Sequence, residues 1–242
     1  FENVTFVYPD GEEPVIKNVS FSAKKGETIA FIGSTGSGKS TLINLIPRFY
    51  DVTEGSIRID GIDVRKFNLK ALRKKIGFIR QKNLLFTGTI KSNIKFGKPH
   101  ATHDEVEHSA KIAQAYDFIT NKEKGFDEPI SEGGSNVSGG QKQRLSIARA
   151  LVRKPEIYIF DDSFSALDFK TDAILRKALK KETTDAIVLI VAQRIGSIMD
   201  ADKIIVLDEG KVVGVGKHKE LLKTCNVYHE IALSQLTEEE LA

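Results

Sequence analysis

The sequence of 242 residues predicts an α/β fold built on a mostly parallel sheet. Two observations carry this prediction. A glycine-rich loop joins a short apolar run to an amphipathic helical pattern, and strand and helix patterns alternate from about residue 139 onward. Such alternation is typical of a sheet that helices cover on both faces. An antiparallel β part at the N-terminus and an inserted helical region in the middle are predicted as additions to this core.

Strand patterns dominate the N-terminal part of the chain. Short runs rich in β-branched and aromatic residues predict strands over 1–8, 15–22, 27–32 and 55–60, with a turn at Pro9-Asp10-Gly11 between the first two. A helix after the glycine-rich loop is expected to end near Pro47, because proline breaks helices.

The middle of the chain reads as helical, and the last third alternates. Apolar spacing predicts helices between about 69 and 122, interrupted by a strand at 76–79. The later elements are predicted as helices over 139–153 and 170–182, strands over 157–161, 186–191, 203–208 and 211–215, and closing helical segments. The last two strands are expected to form a hairpin.

The glycine-rich loop, residues 33–41, matches the phosphate-binding pattern G-x-x-x-x-G-K-[ST]. It follows the buried strand predicted at 27–32 and opens a helix, as this pattern requires. Glycines let successive backbone N–H groups turn toward a polyphosphate. Lys39 supplies a positive charge for the β- and γ-phosphates, and the Ser40 hydroxyl suits Mg²⁺. The sequence therefore predicts nucleotide binding on a P-loop NTPase core.

Two further patterns point to the same chemistry. An apolar strand ends at Asp161 and Asp162, where an NTPase of this type holds Mg²⁺, although both residues also suit a helix start. The run Ser138-Gly139-Gly140-Gln141 opens a helix and offers a second anion site, or else a plain N-cap. A second phosphate-binding helix start is redundant in one monomer. It is useful if it covers a nucleotide held by another copy or partner.

Taken together, these patterns resemble the nucleotide-binding domain of ABC transporters. The loop at 33–41, Gln81, Ser138–Gln141, Asp161 and Ser165-Ala166-Leu167-Asp168 follow the order and rough spacing of that family, over essentially the whole chain. The segment Leu85–Ile90 and Glu132-Gly133-Gly134 resemble exporters rather than importers. The resemblance implies one domain over 1–242, with a core at about 1–80 and 156–242 and a helical subdomain at about 81–155.

The resemblance also implies a role for each matching residue. Tyr8 would stack on adenine, Gln81 would touch Mg²⁺ or the attacking water, and Asp168 would act across a dimer interface. Mg²⁺ would be held by Ser40, Asp161 and Gln81. The expected contacts to ATP are Ser34, Thr35, Gly36, Ser37, Gly38, Lys39, Ser40 and Thr41 in this chain, and Ser138, Gly139, Gly140 and Gln141 on the ATP of the opposite domain.

Two positions depart from the family pattern. The residue after the Mg²⁺ aspartate is normally Glu, and here it is Asp162, whose side chain is one methylene shorter. The family places a His after the next strand, and here Gln193 stands there, which carries no positive charge and cannot shuttle a proton. With Gln81, these residues form the expected catalytic set. Together the departures match the degenerate half of a heterodimeric ABC exporter, which would bind ATP but hydrolyse it slowly.

Composition limits the remaining choices. The net charge of +3 does not argue for nucleic acid as a partner, and the single Cys225 allows no internal disulfide. No apolar run approaches the ~18 residues needed to span a bilayer. The expected partners are a second, non-identical nucleotide-binding domain and the transmembrane domains of an exporter, at the cytoplasmic face of the cell membrane. An active homodimeric exporter domain and an ATP-binding regulatory module without transport remain alternatives.

Overall fold

The computed structural model describes residues 1–236. The strands are β1 (Glu2–Phe6), β2 (Ile16–Val19), β3 (Thr28–Ile32), β4 (Glu54–Ser56), β5 (Arg58–Ile59), β6 (Ile62–Asp63), β7 (Ile76–Ile79), β8 (Gly88–Thr89), β9 (Pro129–Ile130), β10 (Ile157–Asp161), β11 (Ile187–Val191), β12 (Lys203–Asp208) and β13 (Lys211–Gly216). The α-helices are α1 (Lys39–Asn44), α2 (Leu69–Lys74), α3 (Ile90–Lys95), α4 (His103–Ile112), α5 (Tyr116–Thr120), α6 (Gly139–Leu151), α7 (Phe169–Glu182), α8 (His218–Thr224) and α9 (Asn226–Leu233). The C-terminal end of the predicted domain, 237–242, lies outside the described residues.

A six-stranded sheet forms the centre of the fold, in the order β13-β12-β3-β11-β10-β7. Its pairs are parallel except β12 with β13, which form the predicted antiparallel hairpin. The inner strands are apolar along their length because helices or the smaller sheet cover both faces. The register pairs Asp161 with Val191 and Val191 with Phe31, so β10, β11 and β3 end at one edge.

A smaller antiparallel sheet, in the order β2-β1-β4, lies beside this core and confirms the predicted N-terminal arrangement. Strand β1 is shorter than the strand predicted over 1–8. The backbone N–H of Val7 donates to the Thr53 hydroxyl, and Gly11 N–H closes a turn on the Tyr8 carbonyl, so the chain leaves the ladder before Tyr8.

The strand predicted at 55–60 is wrong as a single element. The structure divides it into β4 and β5, with Ile57 between them. Ile57 is buried in the core, and its carbonyl accepts from the Val64 N–H. An apolar run can therefore look like one strand while its buried residue marks the point where the chain changes sheets.

Helix α1 ends at Asn44, three residues before Pro47. After it, the N–H groups of Leu45 and Ile46 bond to the third preceding carbonyl, on Leu42 and Ile43. The residue before a proline disfavours the α conformation, which explains why the helix tightens and stops early.

Helices α3 to α6 occupy the middle of the chain and pack on one face of the large sheet through a shared hydrophobic cluster. Three of them begin with side-chain caps: Thr89, Thr102 and Ser138 each make a reciprocal capping box with the residue three positions later. Within residues 1–236 no helix has the length and apolar character needed to cross a bilayer.

Candidate functional site

The phosphate loop, residues 33–41, leaves the carboxyl end of β3 and leads into α1. Gly36 and Gly38 take left-handed backbone conformations with φ of 84° and 97°, which glycine adopts without steric cost. A Cβ on Gly33 would lie 2.0 Å from the Leu207 carbonyl oxygen, whereas one on Gly36 would meet nothing within 4 Å. The loop is therefore packed tightly at its base and open above Gly36. Ser34 and Thr35 are exposed beside that opening, while Ser37 is buried.

Lys39 folds back across this loop. Its Nζ donates to the carbonyl oxygens of Gly33 and Ser34 at 2.8 and 2.7 Å, and to the Ser37 hydroxyl at 3.1 Å. Burial lowers the pKa of Lys39, against the opposing influence of Asp162 and Asp161. The partners of the ammonium group are thus neutral oxygens, and an anion in the loop would be a stronger partner than any of them.

Ser40 and Asp161 bring two hard oxygen atoms together. The Ser40 hydroxyl donates to Asp161 Oδ1 at 2.8 Å. Burial raises the pKa of Asp161, and the Ser40 hydrogen bond opposes that shift only in part. A divalent cation would remove the cost of this partly desolvated carboxylate, and Mg²⁺ is normally held by one or two carboxylates together with substrate phosphates. The donor set fits the metal that the sequence predicts.

Asp162 accepts hydrogen bonds from both glutamines of the predicted catalytic set. Its Oδ2 accepts the Nε2 of Gln81 and the Nε2 of Gln193, each at 2.9 Å. The three residues follow β7, β10 and β11, which are neighbours in the sheet and end at the same edge. We call this group the Asp162 triad.

The carboxylate of the triad is buried and its backbone is unusual. Asp162 is 8% exposed, and burial raises its pKa in spite of the hydrogen bond from Gln81. Its φ of 46° is left-handed, a conformation uncommon outside glycine and found often near functional sites. Its N–H donates to the Val191 carbonyl at 2.9 Å. The side chain is therefore fixed in place and desolvated.

Tyr8 lies next to the start of α1. Its hydroxyl makes a 2.9 Å hydrogen bond with the Thr41 hydroxyl. The ring packs edge-on against Phe6 and Tyr50, with centroids 4.9 and 5.1 Å away. Stacking on adenine remains a prediction, and this position places the ring beside the phosphate loop.

The predicted second anion site opens helix α6. The Ser138 hydroxyl accepts the Gln141 N–H at 3.2 Å, and Gln141 Oε1 accepts the Ser138 N–H at 3.1 Å. Gly139 is exposed, and a Cβ there would meet nothing within 4 Å, while one on Gly140 would lie 3.3 Å from the Ala166 carbonyl. Asp168 caps α7 through Thr171 N–H at 2.9 Å. The capping roles are thus present, and the roles across a dimer stay predictions.

Two residues that the sequence did not single out hold the loop after β11. Arg194 donates to the carbonyl oxygens of Ser165 and Leu167, at 3.1 and 3.4 Å. Gln235 bonds to the backbone on both sides of Arg194. No pattern in the sequence marks either residue, because each contact joins positions far apart in the chain.

Comparison with known proteins gives one family and several close relatives. The family model described as "ABC transporter" matches residues 16–165. Two curated proteins of Staphylococcus aureus, from strains NCTC 8325 and COL and both named "Putative multidrug export ATP-binding/permease protein", are similar to this chain. Each is 48% identical over 230 residues, which is 95% of this chain and 40% of the relative. The chain therefore spans less than half the length of these relatives.

The fold has a close match among solved structures. A structure described as a bacterial Atm1-family ABC exporter with ATP bound superposes with a TM-score of 0.94 at 37% identity. The match covers 98% of this chain and 42% of that chain. It confirms the mixed α/β fold class, with its mostly parallel sheet and antiparallel N-terminal strands.

Proposed function

The chain belongs to the ABC transporter family, and from that premise we propose that it is the ATP-binding domain of an exporter, where it dimerises around ATP to drive transport. One observation carries the proposal. The open phosphate loop, the Lys39 ammonium and the Ser40–Asp161 oxygen pair meet at the carboxyl edge of one parallel sheet. In open α/β sheets ligands bind outside the carboxyl ends of the strands. ATP and Mg²⁺ are the cofactors that fit this set.

Each residue of the site has a physical task in this proposal. When bound, ATP supplies the transferable phosphoryl group and Mg²⁺ neutralises part of its charge. Lys39 exchanges its neutral oxygen partners for phosphate oxygens, and Ser40 with Asp161 provides the hydroxyl and carboxylate ligands. Thr41, Gly36 and Gly38 shape the loop, while Ser34, Thr35 and Ser37 line it. Tyr8 would offer its ring to the base, and Gln81 would contact Mg²⁺ or the attacking water.

We propose further that this site is degenerate. In a full site a carboxylate orients the attacking water, and here Asp162 is one methylene shorter than the glutamate of the family pattern. One oxygen of this carboxylate already accepts hydrogen bonds from the Gln81 and Gln193 amides, so it is engaged by side chains of its own chain. A misplacement of about 1 Å can lower a rate by about 10²-fold. Gln193, which replaces the His, adds no positive charge and accepts no proton at its amide nitrogen.

The run Ser138–Gln141, which matches the family pattern without a departure, points to where hydrolysis takes place. Gly139 is exposed, Gly140 is half-buried and the N-terminal turn of α6 is capped, so this turn can approach a nucleotide bound by another domain. We propose that it completes the active site of a non-identical second nucleotide-binding domain. The names of the relatives join an ATP-binding part with a permease, which supports transmembrane domains as further partners. The assembly would place this chain at the cytoplasmic face of the cell membrane, without nucleic acid as a partner.

Equilibrium ATP binding and steady-state hydrolysis by this chain test the proposal. We expect Mg²⁺-dependent ATP binding that Lys39→Ala abolishes, with turnover roughly 10²-fold below that of the Asp162→Glu, Gln193→His double variant in the assembled transporter. Fast wild-type turnover, equal to that of the double variant, would instead favour the active homodimeric exporter. Absence of ATP binding by the folded chain would overturn the whole proposal.

A further inference from the structure

The loop that carries Gln193 is held from outside by the C-terminal segment. Gln235 Oε1 accepts the Ile195 N–H at 2.8 Å, and Gln235 Nε2 donates to the Gln193 carbonyl oxygen at 2.7 Å. One side-chain amide thus bonds to backbone groups on both sides of Arg194. We call these two bonds the Gln235 clamp.

The clamp satisfies backbone groups that the loop itself leaves open. Ile195 is the first residue of a short 3-10 turn that ends at Ser197, and the first N–H groups of a helical turn have no partner within it. The Ile195 side chain is fully buried in the large hydrophobic cluster. The loop is therefore held in two ways: the Ile195 side chain packs in the core, and the Gln235 side chain hydrogen-bonds to the loop backbone.

Gln235 is itself fixed by the end of α9. Its N–H donates to the Ala232 carbonyl at 3.0 Å, and the N–H of Leu236 donates to the same oxygen at 2.9 Å. Helix α9 is docked through Tyr228 and Ala232, which are both fully buried. Tyr228 is also bonded to His218 Nδ1 at 2.7 Å. The clamp is thus attached to packed structure, although the Gln235 side chain lies at the surface.

We propose that Gln235 is a positioning residue of the nucleotide site, because its clamp sets the backbone from which Gln193 reaches Asp162. Gln193 is exposed and its long side chain has several rotamers, so a fixed backbone is what limits where Nε2 points. The bond from Nε2 to Asp162 Oδ2 is 2.9 Å and spans the step from β11 to β10. The inference rests on the proposed function only in assigning a nucleotide to this site.

A merely structural role for Gln235 makes a different prediction. If the clamp only tied down the C-terminal segment, its loss would lower thermal stability and leave the Gln193 side chain unchanged. If it positions Gln193, its loss changes the environment of the Gln193 side-chain amide as well. The two roles are separated by observing that amide directly.

The test uses isotope-labelled chain without nucleotide. Amide exchange at Ile195 and the side-chain NH₂ signal of Gln193, identified by its loss in Gln193→Ala, are compared in wild type, Gln235→Ala, Gln235→Glu and Ser234→Ala. In Gln235→Ala we expect Ile195 exchange to rise about 3- to 10-fold, the effect of one lost hydrogen bond, and the Gln193 signal to shift. Gln235→Glu keeps the acceptor and loses the donor, so Ile195 stays protected while the Gln193 signal still shifts.

Ser234→Ala is the matched control, since among the described residues the Ser234 hydroxyl donates only to the Ile231 carbonyl, one turn back in α9, and we expect both readings to match wild type. An unchanged Gln193 signal in the folded Gln235→Ala and Gln235→Glu variants would overturn the positioning role. Unchanged Ile195 exchange in Gln235→Ala would overturn the clamp. Failure to bind ATP would overturn the proposed function and leave both of these comparisons intact.

Discussion

At the scale of single residues, the proposed slow hydrolysis of ATP rests on Asp162 and Gln193. Asp162 holds both amides of the triad on one oxygen, which a carboxylate oxygen with two lone pairs can do. A glutamate at 162 would extend past this position by one methylene. A histidine at 193 would bring a group that can carry a proton and a charge.

The double variant Asp162→Glu, Gln193→His is expected to raise ATP turnover at this site in the assembled transporter by about 10²-fold. The longer carboxylate reaches the water, and the imidazole stabilises charge that develops in the transition state. Steady-state ATPase assays measure the change, with each single variant as a control for non-additivity. If wild-type turnover is slow and the double variant brings no gain, other side chains limit the rate.

Asp162 also gives the chain a pH-dependent stability. Burial raises its pKa above the ordinary value of 3.8, so the folded state binds more protons than the unfolded state in the range above 3.8. Stability from this residue is present at low pH and falls as pH rises through the raised pKa. Asp162→Asn removes the dependence, so the nucleotide-free variant should gain stability relative to wild type as pH rises from about 3.5 to 7.

Urea unfolding at several pH values measures that difference. Asp168→Asn is the control of opposite sign, because hydrogen bonds from the backbone N–H and side chain of Thr171 lower the pKa of Asp168. Its carboxylate contributes stability that is present above its unfolded pKa and lost as pH falls. The assignment would be contradicted if wild type became more stable relative to Asp162→Asn as the pH rises toward neutral.

At the scale of elements, the first turn of α6 has an observed capping role and a proposed contact with the partner's ATP, and an experiment must separate them. Ser138→Ala removes a cap, which costs about 1 kcal/mol of stability, and it also removes a hydroxyl from the proposed contact with the partner's ATP. Thr102→Ala is a matched control because Thr102 forms the same capping box at α4.

We expect both cap variants to lower the free energy of unfolding similarly, and only Ser138→Ala to slow hydrolysis at the partner's site. ATP affinity of this chain's own phosphate loop should stay close to wild type in both. Gly139→Asp, which places a negative charge at the exposed glycine, should slow the partner's site further. Equal losses at the two nucleotide sites would count against the cross-dimer role.

The elements also show why the sequence predicted some features and missed others. Helix α7 and strands β10 and β12 were predicted within a residue or two, because apolar period and local caps define them. The split between β4 and β5 escaped prediction because it depends on burial of Ile57 by distant parts of the chain. Likewise, the loop pattern identifies Lys39 and Ser40, whereas the Gln235 clamp joins residues 40 positions apart and leaves no local pattern.

At the scale of the whole molecule, nucleotide should stabilise the fold. A ligand that binds only the folded state at 100 times its dissociation constant adds about 2.7 kcal/mol. We expect Mg²⁺-ATP to raise the melting temperature of the chain, and Lys39→Ala to cancel that rise. Scanning calorimetry with and without Mg²⁺-ATP measures this rise. A rise that survives in Lys39→Ala would place the nucleotide elsewhere.

The position of Lys39 has a consequence for the capture and release of nucleotide. Lys39 is buried, which lowers its pKa, and its hydrogen bonds to two carbonyl oxygens hold the loop in shape. We expect capture of nucleotide to exchange these Lys39 hydrogen bonds for bonds to phosphate oxygens, with little further dehydration of the ammonium group. The return of Lys39 to the Gly33 and Ser34 carbonyls would then favour release of the nucleotide.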